Sequence, residues 1–379
     1  MQTNPRWRVT GWGAISPAGW SGGELAAELA SQTRNHAADS GEGLPVTRSR
    51  RHPDAPETAT RAVPAAPEGV SAPRHPRLRR TSPVARHAMA AALQAIGSGR
   101  AEQVRNGRLR LGIVFCVMNG CVQFSGRFYA EVLENPATAS PLLFPETVFN
   151  SPSSHLSSAL GAGGLNHTLI GDAAGFYSGL ALAVEWLEDD QVDASLVVAA
   201  EELDWLSAEA VHLFDHAGIA AEGAGALLLQ AGAAASDPGI PAVELASIAG
   251  PLVYGRRCPQ GKAARAIAAG LRDRLPPDDT GHDPGSPSAG GVGAEARPTL
   301  LIDSRRGHAR LDRAEAAAWR DWRGPVWSPQ LHLGEGFAAH GAWQCVAACE
   351  AIAGGQFDRV ITSGIGGTMQ AAGALFCRA

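Results

Sequence analysis

Polar and apolar positions along the chain follow two periods in turn. Residues 8–17, RVTGWGAISP, read as a strand that runs into a glycine and proline turn. Residues 109–117 form a second strand, apolar throughout as a strand buried on both faces would be, ending at Met118-Asn119-Gly120, and 192–200 form another. Residues 174–187 read as an apolar helix, and 82–95 as a helix with Ala88, Ala91, Ala92 and Ala95 on one small-residue face. Residues 224–231 and 243–248 look like two strands separated by a Pro-Gly turn. The alternation then resumes: a strand at 299–303, helices at 313–322 and 338–352, and strands at 359–362 and 369–377. This repeat predicts an α/β protein of two similar halves, 1–235 and 236–379. Each half should carry a five-stranded mixed sheet, and the halves should stack as α-β-α-β-α layers. Two stretches have neither period. Residues 40–80, rich in Pro, Ala and Arg, read as a surface excursion or mobile loop, and 274–298 as a low-complexity, exposed linker.

Composition narrows the function classes. Over 379 residues, 45% are apolar and only 18% charged, the balance of a globular protein with wide buried surfaces. The net charge of −5 is modest, and the basic residues gather in one stretch rather than on a helical face, which argues against nucleic-acid binding. Six cysteines, without CxxC pairs, read as reduced buried thiols. Cys345 and Cys349 lie one helical turn apart, but no histidine cluster completes a metal site with them. No cofactor motif is present, so no cofactor is expected. The N-terminus lacks an apolar segment of signal-peptide length, and the run 180–187 is broken by Glu185 and too short to cross a bilayer. The expectation is a soluble cytoplasmic protein without membrane contact.

Seven motifs in order carry a family resemblance. Val9-Thr10-Gly11-Trp12-Gly13-Ala14-Ile15-Ser16-Pro17-Ala18-Gly19 resembles the opening "VTGxGxxSPxG" of the ketosynthase branch of the thiolase superfamily. Phe144-Pro145-Glu146-Thr147-Val148-Phe149-Asn150 resembles the segment before that family's nucleophile, and Glu222-Gly223-Ala224-Gly225-Ala226 its "GEGAGA" strand entry. Ser363-Gly364-Ile365-Gly366-Gly367-Thr368 resembles the closing "SFGFGGTN" loop. The other three are the family's active-site loops, all altered. In particular, the chain is similar to chain-length factors, the catalytically degenerate ketosynthase homologues of bacterial polyene and polyketide clusters. Ala139-Ser140-Pro141-Leu142-Leu143-Phe144-Pro145 has the look of the aryl-polyene branch. The chain is shorter than a usual ketosynthase, its second half compressed around 274–298.

The resemblance implies a thiolase-like fold and places three positions. Gly171-Asp172-Ala173-Ala174-Gly175-Phe176 stands where the family's nucleophilic cysteine opens a buried helix. There the helix dipole lowers a thiol pKa and backbone N–H groups form an oxyanion hole. The best register puts Ala173 at the cysteine; sliding by one puts Asp172 there. Neither is a ketosynthase nucleophile: alanine cannot be acylated, and aspartate at a helix start is an ordinary cap. Arg305 stands at the first catalytic histidine, Glu335 at the second, and Gln330 at the supporting lysine. A carboxylate at 335 would repel the malonyl carboxylate and the enolate formed on decarboxylation. His308, His332 and His340 lie beside these loops but out of register.

The implied function is therefore non-catalytic. Such a subunit pairs with an active ketosynthase, and Met118, Cys121, Phe124 and Phe128 would close the end of the partner's acyl tunnel; the alternative is that they fill this chain's own core. Arg48, Arg50, Arg51, Arg61, Arg74, Arg77, Arg79 and Arg80 would suit an acidic acyl carrier protein, or are solvated loop charges. A different class remains open: a self-sufficient acyltransferase or decarboxylase using Asp172, His308, His332 or His340.

Overall fold

The computed structural model describes residues 7–35, 43–68, 78, 80–232, 242–276 and 297–379. The apolar opening segment forms β1 (Trp7–Ile15), followed by α1 (Gly22–Asn35), the short strands β2 (Thr47–Ser49) and β3 (Thr58–Arg61), and α2 (Pro83–Arg105). Next come β4 (Leu111–Val117), α3 (Val122–Glu134), α4 (Ser151–Leu160), β5 (Asn166–Ile170) and α5 (Ala173–Glu188). The first half continues with β6 (Ala194–Glu201), α6 (Trp205–Phe214), β7 (Ile219–Ala221) and β8 (Gly223–Ala231). Beyond it lie β9 (Val243–Val253), α7 (Gln260–Arg272), β10 (Leu300–Ile302), α8 (Ala309–Ala318) and β11 (Val326–Trp327). The chain closes with α9 (Pro329–Leu333), α10 (Phe337–Ala353), β12 (Arg359–Ile365) and β13 (Gln370–Arg378).

Ten strands form two sets of five with the same order and sense. In the first, β5, β4 and β6 are parallel, and β8 and β1 follow antiparallel. In the second, β11, β10 and β12 are parallel, and β13 and β9 follow antiparallel. The expectation of two separate sheets needs one correction. β1 and β9 pair antiparallel over Trp7–Leu245 to Val9–Val243, so the hydrogen-bond ladder is continuous through all ten strands. The join is only three residue pairs long, and the sheets diverge from it with the usual strand twist. Both α5 and α10 then lie between the two sets, touching strands of each, while α2 covers the outer face of the first and α7 and α8 that of the second. The layers are α-β-α-β-α.

The two central helices explain why their sequences lack a polar face. In α10 every residue from Ala338 to Cys349 is buried, and α5 is buried on nearly all sides. They approach at backbone distance: a Cβ on Gly341 would fall on the carbonyl oxygen of Ala173 and 3.0 Å from Phe176 Cβ. Trp343 is fully buried, and its indole N–H donates to Ile15 O at 3.0 Å and Ala224 O at 3.1 Å.

Other expectations shift in detail. The excursion at 40–80 contains β2 and β3, which join β7 in a three-stranded sheet. These strands are too short to show a period. The helix expected at 313–322 is α8, four residues earlier, with Trp319 and Trp322 after it in an edge-to-face pair. Of the expected linker, 277–296 lies outside the described residues, whereas Leu275 is buried against α7 and α8 neighbours rather than exposed. The boundary at 235/236 also lies outside them.

Candidate functional site

β5 and β6 flank β4, and the turn after β5 delivers the start of α5 to the interior. Asp172 is the N-cap, its Oδ1 accepting the Ala174 N–H at 3.2 Å, and Ala173 heads the helix with only 7% exposure. The second oxygen, Oδ2, accepts the N–H of Thr368 at 2.7 Å, from the loop between β12 and β13 that packs directly on it. That loop is also tied to Tyr254, whose hydroxyl donates to Gly366 O and whose N–H donates to Met369 O at 2.8 Å.

The start of α10 is built the same way. Glu335 Oε1 accepts the Phe337 N–H at 2.9 Å; Oε2 accepts the Gln330 amide and lies 3.3 Å from an Arg306 guanidinium nitrogen. The backbone of Glu335 is fixed against β7, donating to Ile219 O at 2.7 Å and accepting from Ala221 N at 2.8 Å. Gly334 just before it holds φ 93°, a left-handed conformation that side-chain-bearing residues rarely adopt, and a Cβ there would lie 2.6 Å from Ile219 O. Each central helix thus begins at the site under a carboxylate of this chain.

The third loop arrives from β10. Arg305 bends back onto the buried Asp303, whose carboxyl is pushed up by burial and held down by Arg305. Arg306, the next residue, is the one that crosses to Glu335. Ser304 donates through N–H and hydroxyl to Glu315 and accepts from Ile365 N at 3.0 Å, which ties this loop to the end of β12. Glu315 is fully enclosed, and burial above all raises its pKa.

The histidines separate. His340 sits one turn into α10, fully buried, with no hydrogen-bond partner at either ring nitrogen among the described residues. Burial, reinforced by Arg306, lowers its pKa to about 3, so the imidazole is neutral. His308 precedes α8 with a buried, unpartnered Nδ1, and the His332 carbonyl accepts the guanidinium of the buried Arg61 at 2.6 Å. The four buried thiols are held protonated: burial drives Cys116, Cys121 and Cys349 up, and Cys345 up to about 12. Among the described residues no group of three or more His, Cys, Asp or Glu side chains could hold a metal ion.

The segment after β4 is anchored from below by two acids at the end of β6, which sequence reading passed over. Glu201 accepts the N–H groups of Met118 and Asn119, and Glu202 those of Gln123 and Val84. Burial raises Glu201 to about 8. The available signal was a pair of acids closing an otherwise apolar strand. Cys121 is buried in the core under α2, and half-buried Phe124 packs against the same core. Half-buried Phe128 stacks obliquely on Phe144 at 5.6 Å, and Met118 is half-buried. Of the arginines, Arg51 lies 3.8 Å over the exposed Trp205 ring of α6 and Arg61 is buried; Arg74, Arg77 and Arg79 lie outside the described residues.

Solved structures match this arrangement over essentially its whole length. The ishigamide ketosynthase/chain length factor aligns with a TM-score of 0.73 at 18% identity, covering 98% of this chain and 99% of that one. The chain has the thiolase-like ketosynthase fold. A ketosynthase in complex with its chain length factor from Xenorhabdus doucetiae matches with a TM-score of 0.73 at 14% identity, covering both chains completely. A beta-ketoacyl synthase from Burkholderia phymatum STM815 matches at 0.72 and 16%, covering 99% of this chain and 100% of its own. No family model and no curated protein sequence matches the chain. No helix among the described residues is long and apolar enough to cross a membrane.

Proposed function

We propose that this protein is a non-catalytic subunit of the chain-length-factor kind, which pairs with an active ketosynthase and shapes the tunnel for the acyl chain. The observation that carries this reading is the double carboxylate cap. Asp172 and Glu335 occupy the starts of α5 and α10, already bonded to backbone N–H groups, beside an Ala173 that has no nucleophile. Condensation stabilises negative charge in its transition states, and fixed anions there oppose it. Arg305 is folded onto Asp303, and Arg306 spends its charge on Glu335.

Pairing is supported by an uncovered flank. β5 is one of the two end strands of the ladder, and among the described residues no strand pairs with its outer edge. Ile170 on β5 is 63% exposed, and elsewhere in the first half α3 has no fully buried residue, with Tyr129, Leu133 and the nearby Phe144 56–77% exposed. Exposed apolar side chains and an open strand edge each fit a protein partner. Among the similar structures, one is a type II polyketide acyl carrier protein in complex with its ketosynthase and another a ketosynthase with its chain length factor. By that likeness we assign an acyl carrier protein as the donor of the chain being shaped, and a polyketide, aryl-polyene or fatty-acid-like product. The fold supports the two-half organisation, with the boundary near 235/236, and the setting we propose is the cytoplasm.

The test is reconstitution with a ketosynthase that has an intact Cys-His-His set, followed by size-exclusion chromatography and intact mass after addition of acyl and malonyl carrier proteins. A stable complex with the acyl adduct on the ketosynthase alone is expected. An adduct on this chain, or CO₂ released by it alone, would favour the self-sufficient acyltransferase or decarboxylase instead.

A further inference from the structure

The loop 366–369 is held to the rest of the protein at three points. Two belong to Tyr254, which bonds to Gly366 O and Met369 O and is itself contacted by the Gln260 amide at 3.3 Å. The third is Asp172, whose Oδ2 accepts the Thr368 N–H at 2.7 Å. An N-cap needs one oxygen for its own helix, and Asp172 spends only Oδ1 on that. Its other oxygen joins residues 196 positions apart in sequence. A Cβ on Gly366 would fall on this carboxylate, so the carboxylate lies flat against the loop backbone. Asp172 is only 6% exposed, so its contact with the loop is screened from water.

We infer that Asp172 is an internal latch, holding the 366–369 loop down on the Ala173 turn and keeping the crevice at the head of α5 closed. The inference deepens the non-catalytic reading and rests on it for its meaning. A thioester carbonyl entering this crevice would need backbone N–H donors of the helix start and the facing loop. The carboxylate already holds those of Ala174 and Thr368, and its charge repels an oxyanion. The scaffold is shut by a contact as well as lacking a nucleophile. Tyr254 holds the far side of the loop, so release of Asp172 should free Thr368 while Gly366 and Met369 stay attached.

The test uses the full chain alone, with Ala173→Cys as a reporter in three backgrounds: Asp172 intact, Asp172→Asn and Asp172→Ala. Alkylation by iodoacetamide is followed by peptide mass spectrometry at several pH values at which the chain stays folded. Each rate is divided by the thiolate fraction from the thiol's own absorbance titration, so that the effect of the Asp172 charge on its pKa drops out. Hydrogen exchange at Thr368 is read in the same variants without the cysteine. Removing Asp172 should speed alkylation at 173 and exchange at Thr368 by at least tenfold, with Asn between, since its amide oxygen still accepts one N–H. Cys345 and Cys349, both buried, report the fold: if they become labelled in the Ala background, the Asn background decides. Equal alkylation and exchange in all folded backgrounds overturns the latch and leaves Asp172 an ordinary cap. Because no ketosynthase or carrier protein is present, failure of pairing would count against the proposed function without touching this result.

Discussion

Placing a cysteine at 173 alone should leave the site inactive, and Coulomb's law sets the scale. In Ala173→Cys the new thiol would stand about 5 Å from the Asp172 carboxylate, as neighbouring side chains at a helix start do. At an effective dielectric of about 20 the two charges repel by about 3 kcal/mol, or roughly two pKa units against the thiolate. The helix dipole returns about 0.5–1 kcal/mol of that. The thiolate population at neutral pH would then fall by one to two orders of magnitude. The later steps fare worse. The enolate of decarboxylation would meet Glu335, and an Arg305 folded onto Asp303, at the positions that the resemblance gives to the two catalytic histidines. Losing one preorganised donor costs about 10²–10³ in rate, and groups that act as a unit are not rescued singly. We expect no β-ketoacyl product and no CO₂ above the unaltered chain when Ala173→Cys is incubated with acyl and malonyl carrier proteins. Measurable turnover without a partner would show that Arg305 and Glu335 do not stand at the histidine positions.

Three further outcomes are expected. Glu201, raised to about 8 in the fold against an ordinary 4.5, stays protonated while the unfolded chain ionises, so the folded state binds more protons. Glu201 should therefore make stability fall as pH rises from about 4.5 to 8, by a few kcal/mol, alongside Glu315, which burial raises to about 8 as well. Urea melts across that range should show it, and Glu201→Gln should reduce the slope without abolishing it. Gly341→Ala forces a methyl onto the Ala173 carbonyl and should cost about 1–3 kcal/mol, read as a lower urea midpoint; no change would mean that α5 and α10 are not in backbone contact. In the reconstituted pair, Met118→Trp and Cys121→Trp should shorten the product and Phe124→Ala lengthen it, read by product mass. An unchanged distribution in a complex that still forms would make these residues core filler, and buried Cys121 is the one most exposed to that outcome.

Period and length carried most of the fold, because the buried strands and the two central helices are apolar enough to stand out. The alternation at 109–117, 174–187, 192–200 and 338–352 corresponds to β4, α5, β6 and α10 within a few residues. What escaped has physical reasons. α3 has no fully buried residue, only a half-buried face that carries Phe124, Phe128 and Val132 at helical spacing, so it lacks the unbroken apolar stretch that marks the central helices. β2 and β3 are three and four residues long. The β1–β9 join depends on two edges meeting in space, which no local pattern encodes. At the site, the altered loops were legible as motifs, but the partners were not. That Arg306 rather than Arg305 reaches Glu335 depends on where the backbone turns after Ser304, and Tyr254 enters from a strand with no motif at all.

The symmetry of the fold gives those partners a common logic. α5 follows β5 and α10 follows β11 by way of α9, at equivalent places in the two sets of strands, and their N-termini meet where Gly341 touches Ala173. Two helix N-termini directed at one buried region concentrate partial positive charge there. A condensing enzyme can spend that charge on a thiolate and an enolate. Whatever chemistry a chain performs, it has to satisfy these orphan N–H groups, since leaving them bare in a buried region costs about 1–3 kcal/mol each. Asp172 and Glu335 do so from within, and Arg306 balances the second of them. On this account the carboxylates at 172 and 335 support the scaffold itself: side chains without an acceptor oxygen there, such as alanine, would leave the helix starts unfilled and the central layer less stable.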